Sequence, residues 1–179
     1  SIPTKTPKET IVNSPIASAQ ELDLINLKIA ALKFIRSDKE GFFRAYRNTN
    51  LNLIPYIVNN TKKMFIVTGG TLTDTLFLGN DYYLEFNDKY EVTQKKRIHQ
   101  SLIAISTGRN DKEKTVATIH SHVDDTNITT TDICTLMLYR DYVSWDTHMV
   151  MGKENVCVFD MKKGKWYLFP KSAFEKKKD

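Results

Sequence analysis

Two histidines one residue apart, His120 and His122, stand in the run TVATIHSHVDDTNITTTDICTLMLY, and Asp132 follows after nine intervening residues. On an extended strand alternate side chains leave the same face, so the two imidazoles can meet at one point. A gap of that length lets the first turn of a following helix swing back over the strand end. Two imidazoles and a carboxylate make a three-ligand set suited to zinc. The fourth tetrahedral position is then left for water, the arrangement of catalytic rather than structural zinc. Thr129 and Asp132 also fit a capping box, which would by itself account for the aspartate. An isolated HxH would read as one core and one surface histidine. The order of strand, HxH, polar loop, TxxD and amphipathic helix favours the metal.

The elements that must position these residues follow from periodicity and punctuation. In SAQELDLINLKIAALKFIRSD, Leu22, Ile25, Ile29, Leu32 and Ile35 recur at three- and four-residue steps behind a Ser18–Glu21 capping box, which predicts a first helix. EGFFRAYR and LNLIPYIV read as two strands paired about the turn NTN, and KMFIVTGG with DTLFLGN as a second hairpin over about 61–80. DYYLEF adds a strand. EVTQKKRIHQSLIAIST places Val92, Ile98, Leu102 and Ile105 at helical steps and predicts a second helix, with His99 facing solvent. The strand TVATIHSH and a third helix over about 131–142 come next, and THMVMG, NVCVFDM and KWYLFP close the chain as three strands, with His148 packed at a core edge. The expected fold class is α+β, a mixed sheet flanked by helices. One domain is expected over 18–171, after a flexible segment 1–17 rich in Ser, Pro, Thr and Lys and before a lysine-rich tail 172–179.

Composition bounds the function. With 179 residues, 41% hydrophobic and 26% charged, the chain suits one globular domain. The net charge of +5 comes from short lysine clusters without interleaved aromatics, so a solvated face is a better reading than a nucleic-acid surface. Cys134 and Cys157 are isolated and read as buried thiols rather than a disulfide framework. No apolar run approaches a membrane span. The first residues lack the apolar core of a signal peptide, and the start on Ser1 points to processing or to a lost upstream segment. These features do not fix the compartment; an intracellular, cytoplasmic location is the expectation.

The residues IHSHVDDTNITTTD resemble the signature of the JAMM metallopeptidases, also called the MPN+ or JAB family. That signature is an upstream Glu, then H-S-H-P, a loop, S-x-x-D and a helix. The expected order of elements agrees over roughly 18–169. The resemblance implies Zn2+ bound by His120, His122 and Asp132, and a general base opening the strand after the first helix. Glu40 fits that place, with Asp38 and Glu85 as the other candidates. It further implies Thr129 as the donor to the oxyanion, and an MPN/JAB-like fold in which the 61–80 hairpin is an extra insertion. Val123 stands where the family has Pro, the loop to the aspartate is one residue shorter, and Thr129 replaces Ser. The activity implied is zinc-dependent hydrolysis of a peptide or isopeptide bond, with a protein or peptide partner such as a ubiquitin-like tail. Two alternatives stay open: a non-catalytic MPN-like interaction module, and a nucleic-acid-associated protein like the RadC group. HSHV in place of an HNHP-type pattern weighs against the latter.

Overall fold

The computed structural model describes residues 16–109, 115–123 and 127–174. Most of the expected lead-in, residues 175–179 of the tail, and parts of the GRNDKEK and VDDTNITT loops lie outside the described residues. The first helix, α1 (Ala19–Arg36), starts at a reciprocal capping box: the Ser18 hydroxyl accepts from the Glu21 amide, and the Glu21 carboxylate accepts from the Ser18 amide. It buries Leu27 and Ala31 and leaves Leu22, Ile25 and Ile29 half-exposed.

Strands β1 (Thr49–Val58) and β2 (Thr61–Gly70) form an antiparallel hairpin paired along its whole length, from Thr49 opposite Gly70 to Val58 opposite Thr61. The turn is Asn59–Asn60, at φ 48° and 58°, the left-handed pair that a two-residue type I′ turn demands. EGFFRAYR, expected to pair with LNLIPYIV, is instead a loop. Its aromatic residues serve packing rather than a ladder: Phe42 and Phe43 lie 5.6 and 4.9 Å from the Tyr82 ring. Its backbone is held by side chains, with the Arg44 amide donating to Tyr82 Oη at 2.8 Å and Arg97 to the Phe42 carbonyl at 2.6 Å.

Next come β3 (Thr75–Gly79), β4 (Tyr82–Phe86), β5 (Val92–Arg97) and β6 (Leu102–Ser106). One sheet has the order β1-β2-β4-β5 and is antiparallel throughout, while β3 pairs only with β6. Residues 61–80 are therefore no inserted hairpin, because β2 is an inner strand of the first sheet and β3 leaves it. The expected second helix is likewise two strands, β5 and β6. A helix through Val92 and Ile98 needs an apolar residue at 95 or 96, where lysines stand. As the outer strand of its sheet, β5 turns those lysines to solvent, where charge guards an open edge.

The rest of the chain follows expectation. Strand β7 (Ala117–Ser121) crosses through α2 (Thr130–Tyr139) to β8 (Thr147–Met151), and β9 (Asn155–Asp160) and β10 (Lys165–Pro170) complete a second four-stranded sheet in the order β10-β9-β8-β7. The β7–β8 pair is parallel, which the intervening helix permits; the other pairs are antiparallel. The architecture is thus α+β with two α-helices among the described residues. Leu27 and Ala31 pack on Met64, Ile66, Tyr82 and Leu84, while Leu76 and Leu78 meet Leu136, Trp145 and Phe159 in a second cluster. No helix among the described residues is long and apolar enough to cross a membrane. Both cysteines are free, Cys157 buried and Cys134 half-buried.

Candidate metal centre

His120 sits on β7 opposite Val150, and the ladder runs on one step as the His122 amide donates to the Met151 carbonyl at 2.8 Å. The two imidazoles thus share a face, as the alternation of a strand requires, and His120 Nε2 lies 2.9 Å from His122 Nε2. The helix meets them. His122 Nε2 is 3.2 Å from Asp132 Oδ2, and His120 Nε2 is 3.8 Å from Asp132 Oδ1. The capping box at Thr129 is real: its hydroxyl accepts from the Asp132 amide, and Asp132 Oδ2 accepts from the Thr129 amide and hydroxyl at 3.0 and 2.7 Å. The cap occupies one carboxylate oxygen. The other, Oδ1, is buried and has no hydrogen-bond partner among the described residues. The cap thus leaves Oδ1 open, while His122 and His99 approach the capped Oδ2 at 3.2 and 3.6 Å.

His99 joins this group from the link between β5 and β6. Its donor atom, with those of His122 and Asp132, falls in a set lying within 4.8 Å of one another, suited to a metal ion. The link is gripped by a corner. Gly79 has φ 92°, and a Cβ there would collide with the Ser101 carbonyl; Asn80 follows at φ 54° and donates its amide to that carbonyl at 2.9 Å. Asp81 then meets His99, its Oδ2 lying 3.1 Å from His99 Nδ1. Only 11% of the His99 side chain is exposed, which corrects its expected place on a helix facing solvent.

Each ring is held on its outer nitrogen, the usual sign of a built metal site. His99 has the Asp81 carboxylate, His122 the Asn127 carbonyl at 2.9 Å, and His120 the Nε2 of His148 at 2.8 Å. All four histidines of the chain therefore lie in one connected cluster. Burial would depress the His99 pKa, but hydrogen bonds and charge from Asp132 and Asp81 outweigh it and carry it up to about 9. Burial prevails at His120, which falls to about 4 despite Asp132. Burial also disfavours the Asp132 anion, yet His122 and His99 hold the carboxyl well below the usual carboxylate range. The donors line an open cavity of about 520 Å³ including its mouth, which Leu78, Ile98, Ile103 and Val123 also line.

The chain's expected bases lie elsewhere. Glu40 is exposed and its Oε2 lies 3.2 Å from Lys95 Nζ, with neither residue lining the cavity. Asp38 accepts from the Phe43 amide at 2.9 Å, and Glu85 is engaged by Tyr83 and by Lys63 at 3.4 Å. Sequence reasoning missed His99, Asp81 and His148. The GND corner was the available signal for the first two, because a glycine and an asparagine together mark a sharp turn just ahead of the aspartate. No protein-family model, curated protein or solved structure matches the chain.

Proposed function

We propose that this protein is a zinc-dependent hydrolase acting on a peptide or isopeptide bond. One observation carries the reading: Asp132 Oδ1, buried and without a hydrogen-bond partner among the described residues, lies 3.8 Å from His120 Nε2, while His122 Nε2 lies 3.2 Å from Oδ2, and both rings are anchored on their far nitrogens. The donor set of nitrogen and oxygen atoms suits zinc. His120, His122 and Asp132 are assigned as ligands. Zinc held there would supply Lewis acidity, polarising a carbonyl and bringing a water near a pKa of about 7. The amide class of substrate, including ubiquitin-like tails, rests on the resemblance of IHSHVDDTNITTTD to the JAMM peptidases.

His99 takes the proton-transfer role expected of Glu40. It lines the cavity with Asp81 behind its ring, whereas Glu40 is paired with Lys95 outside. With its pKa at about 9 the ring is protonated at neutral pH, so Nε2 would give its proton to the leaving amine and then regain the one that the attacking water releases. The Thr129 hydroxyl proton already points to Asp132, so Thr129 acts by holding that ligand rather than by donating to an oxyanion. A metal-bound interaction module without turnover is the second reading, favoured by the position of Glu40.

Elemental analysis tests both. The expected result is about one zinc per chain, lost in His122→Ala, with hydrolysis of a panel of peptides and isopeptide conjugates abolished by chelation and restored by zinc. Protein that carries no zinc when purified without chelator, and takes up none on addition, overturns the metal reading. Zinc without turnover on the panel favours the interaction module.

A further inference from the structure

We infer that the outer edge of β10 is a docking site for an extended peptide with an apolar centre and acidic ends, which joins the second sheet as an added strand. β10 is the last strand in the order β10-β9-β8-β7 and pairs only with β9. Its far edge therefore offers backbone N–H and C=O groups that have no ladder partner among the described residues, a template for one more strand. The first sheet guards its own edges, with Pro55 in β1 and with Lys95 and Lys96 in β5. β10 has no such guard in its middle, where Trp166, Tyr167, Leu168 and Phe169 are each 40–51% exposed. Phe174, itself exposed, extends this surface edge-on to Phe169. β7 and its histidines lie three strand spacings away, about 14 Å. The inference therefore stands apart from the metal reading.

The side chains and charges choose the occupant. On a strand Trp166 and Leu168 leave one face, Tyr167 and Phe169 the other. A membrane or a nucleic acid would lie against one face and leave the other wet, whereas an added strand extends both and covers apolar groups on each. The ends of the strand are basic. Lys162 and Lys163 in the turn before it are paired with Asp146 and Asp160, but Lys165 and Lys171, one at each end, have no ion pair among the described residues. Glu154, whose carbonyl accepts from the Lys171 amide, is matched in sequence by Lys153. Acidic residues at the ends of an incoming strand would meet the two free lysines, and cross-strand pairs of opposite charge are favourable. Antiparallel pairing with a second copy, centred on the strand, would instead bring the Lys165 of each chain beside the Lys171 of the other. Residues 1–15, with Lys5 and Lys8 against Glu9, and residues 175–179, with three lysines against Glu175 and Asp179, carry the wrong sign for the place.

Amide hydrogen exchange of the full chain, read by nitrogen-15 NMR, tests the edge. The probe is a short synthetic peptide with an alternating valine and threonine centre and two glutamates at each end; its control carries lysines in their place. In the free protein every second amide of β10 should exchange freely, and saturating acidic peptide should slow those amides by about tenfold or more. The lysine-ended control should not. Lys165→Glu combined with Lys171→Glu changes two side chains that are not buried. It should weaken binding of the acidic peptide by about tenfold and let the lysine-ended peptide bind instead. An acidic peptide that protects no β10 amide overturns the inference, as does binding that the double variant leaves unchanged. Outer-edge amides already protected in the dilute free chain overturn it in favour of cover by the chain itself, and protection that grows with a dimer in sedimentation does so in favour of a second copy. Protection by vesicles of phosphatidylserine and phosphatidylcholine, or by oligothymidylate, without protection by the peptide overturns it in favour of those surfaces.

Discussion

Asp81 Oδ2 lies 3.1 Å from His99 Nδ1, while Asp81 Oδ1 accepts the Thr68 amide at 2.8 Å. The His99 ring is thus anchored to a carboxylate that the sheet itself fixes and that is 2% exposed. If His99 moves protons, His99→Gln should keep its zinc and lose turnover by roughly 10²–10⁴-fold, the usual size of acid–base catalysis. Asp81→Asn should lose part of the same activity by releasing the ring. Metal analysis beside kcat is the check: loss of zinc from His99→Gln would make His99 a ligand instead.

Glu40 is expected to be dispensable. Its side chain is 79% exposed and its partner Lys95 is itself on the surface, and exposed pairs of this kind contribute little. Glu40→Gln should retain zinc content, unfolding midpoint and hydrolytic rate. A rate loss of about a hundredfold, on the scale of a missing base, would return the role to Glu40.

Thr129 joins helix stability to the centre through one hydroxyl. Thr129→Ala removes the cap, which costs about 0.5–2 kcal/mol, and frees Asp132 Oδ2 from its 2.7 Å bond. Urea unfolding and zinc titration should therefore both weaken, while Thr129→Ser retains both. Weakened stability with unchanged zinc affinity would confine the residue to capping.

The zinc-free protein should be most stable near pH 6.5. His120 and His148 have folded pKa values of about 4 and about 3, below the ordinary 6.5, with burial the main cause in both. Below pH 6.5 the unfolded chain takes up protons that these rings refuse, so stability falls with falling pH. Asp132 adds to the loss below its ordinary value of 3.8, because its carboxyl is depressed in the fold. His99 acts in the other direction. Its raised value contributes stability that is complete below 6.5 and is lost as pH rises through about 9. Chemical denaturation across pH 4–9 reads the curve; a flat profile would exclude these buried titrations.

What was legible in the sequence was local. The Ser18–Glu21 and Thr129–Asp132 boxes, the alternation that puts His120 beside His122, and the closing strands depend on neighbours a few residues apart. His99 was illegible because its burial comes from the corner at 79–81, which grips a link that a loose helical spacing had hidden. The empty helical position between Val92 and Ile98 was the warning. His148 depends on a parallel register set by the crossover through α2, and nothing near it in sequence specifies that register. EGFFRAYR misled for a related reason, since aromatic content signals burial as readily as a strand.

The assigned ligands His120 and His122 come from the end of β7 and Asp132 from the first turn of α2, with His99 and Asp81 meeting them from the link and the corner on the other side. An ion held by the three ligands would be a clasp as well as a reagent. Because it would bind the folded chain and not the unfolded one, a thousandfold excess over its Kd adds about 4 kcal/mol to stability. Chelation would then loosen the first turn of α2 from the end of β7 while leaving each apolar cluster its own packing, and catalytic loss and mechanical loosening would share one cause.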